Sequence, residues 1–164
     1  LLTILAPRHP ARGPESAALA AARGLRVARR GAGESPAGAD VYVADTLGEM
    51  GLWYRLAPVA FLGGTVAAMG GHNPYEPAAL DTALIHGPST HAFADAFEAL
   101  SGAAWPAADP SSAARALSEA LSETGRTPEG DRRAAAAAAA LAAQDGAADE
   151  TAAAALAALT TAPL

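Results

Sequence analysis

Three short runs in this sequence combine residue types that can hold an anionic ligand bearing hydroxyl groups. The first is Pro7-Arg8-His9-Pro10. Arg8 offers a planar fork able to grip a phosphate through two parallel hydrogen bonds, although the tetrapeptide alone reads better as a solvated loop. The second is Asp45-Thr46-Leu47-Gly48-Glu49, in which Thr46 and Glu49 have the spacing of a capping box. The same geometry serves a ligand. A helix start offers unpaired N–H donors and a positive dipole end, and Gly48 lets a ligand come close to the backbone. The third run is Gly70-Gly71-His72-Asn73-Pro74-Tyr75-Glu76-Pro77. Here Asn73 suits an N-cap, Pro74 the first helical position and Glu76 the third, again a capping box. Glu76 on that first turn is also placed to accept hydrogen bonds from both hydroxyls of a ribose. The Gly63-Gly64 and Gly70-Gly71 pairs bracket a loop too glycine-rich for a mere connection. Each run alone fits a cap as well as a site; three of them together favour a site.

Other chemistry is not supported. His72, His86 and His91 have no acidic partners at metal-ligand spacing, and neither a nucleophile elbow, a Walker A loop nor an H-E-x-x-H pattern occurs. Gly31-Ala32-Gly33 precedes neither a helix nor a suitable acidic residue, so no dinucleotide fingerprint is present. No metal or cofactor is called for.

The elements that must position these runs follow from apolar patterning. Strands are expected at residues 3–6, 25–28, 41–44, 59–62 and 83–86, with a weak sixth at 103–105. Pro14 and Gly24 bracket a helix, a second carries Met50, Trp53, Tyr54 and Leu56, a short one begins near Pro74, and another spans 93–100. Strands alternating with helices predict a Rossmann-like parallel sheet flanked by helices. Ligands of such sheets bind beyond the carboxyl ends of the strands, where all three runs fall. From residue 110 the chain turns Ala-rich: an amphipathic helix is expected over 111–122, with two more at 132–143 and 151–159.

Length and composition bound the rest. At 164 residues the chain fits a single domain with one core. Aromatics make up 5%, so that core must be assembled from Ala, Leu and Val. A net charge of −6 argues against a nucleic-acid partner, since nothing could neutralise a run of phosphates. The absence of cysteine excludes disulfides, thiolate metal sites and cysteine nucleophiles. No apolar run reaches transmembrane length. The chain opens on Leu1-Leu2-Thr3-Ile4-Leu5-Ala6, which reads as a buried strand without an initiator Met. The expectation is an excised domain whose N-terminal partner is missing.

Pro7-Arg8-His9-Pro10 followed by the run 43–54, VADTLGEMGLWY, resembles the Kdo (3-deoxy-D-manno-octulosonic acid) transferases of lipopolysaccharide synthesis. So do Ala60-Phe61-Leu62-Gly63-Gly64, Gly70 to Ala79, and Gly87-Pro88 with Thr90 and Phe93. The order and spacing of these parts, over residues 1–97, are more specific than any one of them. The resemblance implies the C-terminal half of a two-domain GT-B transferase that moves Kdo from CMP-Kdo to a lipid A precursor. It implies CMP contacts at Pro7, Arg8, Leu47, Gly48, Glu49, Asn73, Pro74, Tyr75 and Glu76. Arg8 and the N–H groups near Gly48 would serve the phosphate, and Glu76 the ribose. The acceptor site, the general base and the membrane association would belong to the N-terminal domain. The full-length protein would act at the cytoplasmic face of the bacterial inner membrane, this piece being soluble and inactive alone.

Ala11 stands where that family usually has an acidic residue, and Ser89 and Ala92 where it has His and Asn. These departures touch the sugar side; the nucleotide side is intact. The alternatives are the donor domain of another GT-B enzyme using a UDP-sugar, and a stand-alone nucleotide-binding module.

Overall fold

The computed structural model describes residues 1–66 and 69–123. The Ala-rich helices expected at 132–143 and 151–159 lie outside the described residues. The chain divides into two compact units, Leu1–Ala57 and a second beginning at Pro58.

The first unit is a three-stranded parallel sheet, ordered β1-β3-β2, from β1 (Thr3–Leu5), β2 (Val27–Arg29) and β3 (Val41–Val43). Its register aligns Thr3 and Val27 with Val41. The apolar, largely β-branched β3 is central and buried along its length. β1 lies at an edge of this sheet, and only its Ile4 is half-buried where a wholly buried strand was expected. Helix α1 (Gly13–Ala21) packs on β2 and β3 and gives way at Gly24, whose φ is 79°. Helix α2 (Met50–Leu56) contributes Trp53, which meets Tyr42 edge-on at 5.9 Å between ring centroids. Ala28 and Ala44 complete that cluster.

The second unit is another parallel sheet, ordered β4-β5-β6, from β4 (Val59–Leu62), β5 (Ala83–His86) and β6 (Ala104–Pro106). Side chains alternate across the central strand, so Leu84 and Ile85 enter separate cores. Leu84 packs with Leu62, Ala78, Phe97 and Leu100, the last two contributed by and just beyond helix α4 (Ala94–Ala99). Ile85 packs with Trp105, Ala116 and Ala120; the two alanines lie one turn apart on helix α5 (Pro110–Glu123). Between β4 and β5 comes α3 (Tyr75–Ala78), a single turn. The expected Rossmann-like architecture, parallel strands flanked by helices, is what the chain adopts. Among the described residues no helix is long and apolar enough to cross a membrane.

Candidate functional site

In the first unit both candidate runs leave the carboxyl ends of neighbouring strands, Pro7-Arg8 from β1 and Asp45 to Glu49 from β3. Arg8 is exposed, and among the described residues no acid or carbonyl engages its guanidinium. Leu47 and Gly48 are also exposed, Gly48 with φ of 80°, and no acceptor among the described residues takes their N–H groups.

Asp45 anchors this loop. Its side chain is 1% exposed and accepts from Arg29 Nε at 3.0 Å, Arg29 Nη2 at 2.6 Å and the Gly31 N–H at 2.7 Å. Burial pushes the Asp45 carboxyl up, but the Gly31 N–H and the Arg29 guanidinium outweigh it and hold the group below its ordinary range. The carboxylate is wedged between two glycines. A Cβ at Gly13 would lie 2.1 Å from Oδ2 and one at Gly31 2.9 Å from Oδ1. Any side chain at Gly13 would have to displace the Asp45 carboxylate.

Glu49 is not the capping-box residue its spacing from Thr46 suggests. Helix α2 starts only at Met50 and has no side-chain cap. The Glu49 carboxylate instead accepts the Thr46 hydroxyl and the Arg30 guanidinium, with Nη2 at 2.7 Å from Oε1 and Nε at 3.1 Å from Oε2. Arg30 first, and Thr46 second, lower its pKa to about 2. A tertiary ion pair has displaced the local cap.

In the second unit the run from Asn73 to Glu76 forms one tight turn. Asn73 Oδ1 accepts the Tyr75 N–H at 3.0 Å in an Asx turn, but Pro74 is the N-cap of this helix, so the cap expected at Asn73 falls one residue later and has no side-chain bond. The capping box does not form, because the helix begins at Tyr75 and Glu76 is its second residue, exposed and with no partner among the described residues. Pro74 is fully buried, and the Tyr75 ring packs on the core around Leu62 and Leu84. The Tyr75 hydroxyl is buried without a hydrogen-bond partner among the described residues.

The glycine-rich loop is held by residues its sequence pattern did not single out. Thr65, fully buried, donates to the Leu62 carbonyl and accepts the Gly87 N–H at 2.6 Å, while its own carbonyl accepts the Ser89 N–H at 2.8 Å. Ser89 Oγ takes the Gly70 N–H at 3.1 Å. Gly70 and Gly71 have φ of 84° and 92°, and a Cβ on Gly70 would meet Ala92 and His91 within 2.9 Å, so glycine is required there. Among the described residues no group of three or more His, Asp or Glu could hold a metal ion.

No family model matches the chain. It is 48% identical over 97 residues to a 3-deoxy-D-manno-octulosonic acid transferase of Bordetella pertussis, covering 58% of this chain and 23% of that protein. With the Haemophilus influenzae transferase the identity is 38% over 101 residues, covering 61% of this chain and 24% of that protein. A solved structure, the C-terminal CMP-Kdo binding domain of WaaA from Acinetobacter baumannii, matches with a TM-score of 0.80 and 32% identity. That match covers 86% of this chain and 74% of that domain. The chain belongs to the Kdo transferase family. It corresponds to the C-terminal domain of the GT-B fold and spans about a quarter of the length of the curated Kdo transferases it matches.

Proposed function

We propose that this chain binds the nucleotide of CMP-Kdo and serves as the donor half of an inverting Kdo transferase acting on a lipid A precursor. The observation that carries the reading is its likeness, along most of its length, to a solved CMP-Kdo binding domain. The state of the candidate side chains agrees with it. Arg8 and Glu76 are exposed charges left unengaged by the described residues, and no acceptor among those residues takes the Leu47 and Gly48 N–H groups. Arg8 and those N–H groups would hold the CMP phosphate, and Glu76 would accept both ribose hydroxyls. Pro7 and Asn73 would contact the nucleotide directly. Glu49, Pro74 and Tyr75, turned toward other protein groups, would act by shaping the loops they belong to.

In this scheme an acceptor hydroxyl attacks the anomeric carbon while a base takes its proton. CMP departs with its developing charge met by preorganised donors. The described residues supply the leaving-group side; the base, the acceptor site and association with the inner membrane's cytoplasmic face belong to the longer protein.

Calorimetric titration tests the reading directly. CMP should bind more tightly than UMP or ADP. Equal binding of the three nucleotides would refute it in favour of a UDP-sugar enzyme or a general nucleotide module.

A further inference from the structure

The segment Asp45–Glu49 is tethered at its two ends and bare between them. Asp45 fixes the start through Arg29 and Gly31. At the far end Arg30 grips Glu49, with Nε at 3.2 Å from Oε1 and 3.1 Å from Oε2, and Nη2 at 2.7 Å from Oε1. Between these tethers, Leu47 is 83% exposed, and a Cβ built on Gly48 would find nothing among the described residues within 4 Å. Packing therefore does not set the loop's conformation; the clamps do. The strand order makes the second clamp possible. β2 pairs with β3, Arg29 lies opposite Val43, and the Arg30 N–H donates to the Val43 carbonyl at 2.9 Å. Arg30 thus emerges beside the loop it holds.

We infer that Arg30 is a positioning residue for nucleotide binding, presenting the Leu47 and Gly48 N–H groups by holding Glu49 from the neighbouring strand end. The inference rests on the nucleotide reading above and adds to it a residue that reading does not use. A role in global stability does not account for the pair. The Arg30 and Glu49 side chains are 45% and 24% exposed, and ion pairs so open to water add little to folding. What such a pair does well is restrict local geometry, because its fork-shaped contact fixes orientation. The Thr46 hydroxyl on the same carboxylate restricts it further.

The test is CMP titration of the 164-residue chain and four variants: Arg30→Ala, Arg30→Lys, Glu49→Gln and the double variant Arg30→Ala/Glu49→Gln. Arg30→Ala should weaken CMP binding about ten-fold, the scale on which misplaced binding groups cost affinity, with the melting temperature nearly unchanged. Arg30→Lys should recover part of the loss. The double variant should bind no worse than the weaker single variant, since both break one clamp. Parent-like CMP binding by Arg30→Ala overturns the inference and leaves the nucleotide reading standing. A full Arg30→Ala loss that persists in the Glu49→Gln background also overturns it, because Arg30 would then touch the ligand itself. Melting that falls in step with binding, unrelieved in Arg30→Lys, reduces Arg30 to a stability element. If the parent takes up no CMP, the nucleotide reading fails and this inference with it.

Discussion

Replacing Asp45 by asparagine keeps the shape of the side chain and removes only its charge and one acceptor. The three donors aimed at it, Arg29 Nε, Arg29 Nη2 and the Gly31 N–H, all need oxygen. If the amide turns its oxygen to Gly31, its NH2 faces the guanidinium and two charge-assisted bonds are lost, each worth about 1.5–3 kcal/mol. If it turns the other way, the Gly31 N–H is orphaned at a cost of about 1–3 kcal/mol, and Arg29 keeps only a neutral acceptor. Breaking a fully buried pair costs about 3–5 kcal/mol, but Arg29 is 29% exposed and water can partly rehydrate it. We therefore expect Asp45→Asn to destabilise the first unit by about 2–4 kcal/mol. The two tryptophans, Trp53 and Trp105, lie one in each unit. Urea unfolding followed by 19F NMR of a 5-fluorotryptophan-labelled chain reads the units separately, and the Trp53 transition is the one that should move. A loss below about 1 kcal/mol at Trp53 would refute the reasoning, since it is the scale of an exposed pair rather than a buried one.

Glu76→Gln should weaken CMP binding roughly ten- to a hundred-fold, the scale of lost hydrogen bonds to a charged acceptor, and leave the melting temperature unchanged. A variant that melts early yet binds CMP like the parent would make Glu76 a structural residue. Acid should destabilise the chain mainly through buried Asp45, whose carboxyl the Gly31 N–H and Arg29 hold below its ordinary range, and only slightly through two more exposed pairs. Arg26 holds Asp40, and Arg30 with Thr46 holds Glu49, each at a pKa of about 2, from ordinary values of 3.8 and 4.5. Folded values below unfolded ones mean that the unfolded chain binds more protons in acid. The stabilisation is then complete above the ordinary carboxylate values and is lost as pH falls toward about 2. Urea midpoints measured across pH should be level near neutrality and drop below about pH 4; a midpoint that rises there contradicts the pairing.

How much of this could be read from the sequence depended on the range of the interaction. Strands β4 and β5 fall on residues 59–62 and 83–86 as expected, because short apolar runs between breakers are fully specified locally. The strand expected at 25–28 lies instead at Val27–Arg29. Leu25 donates its N–H to the Ala20 carbonyl in closing α1, and the Arg26 N–H goes to the Asp40 side chain. Apolar character alone could not tell a residue that closes a helix from one that opens a strand. Although the N-cap itself is Pro74, the Asn73 bond to a nearby N–H was legible because an Asx bond spans two residues. Glu49 was not, although its spacing from Thr46 fits a capping box. Its choice depends on which strand lies beside β3, and no local pattern states the order β1-β3-β2. Once β2 is there, the adjacent Arg29 and Arg30 meet the acids at 45 and 49, and a charged fork outbids a backbone N–H already open to water. The signal was present as a basic pair ending one strand and two acids, four apart, following another. It becomes readable only with the pairing of those strands, and the same pairing explains why Gly13 and Gly31 carry no side chain. A cap motif after a strand in a parallel sheet is therefore weak evidence for a cap until the neighbouring strand's last residues have been checked for a competing charge.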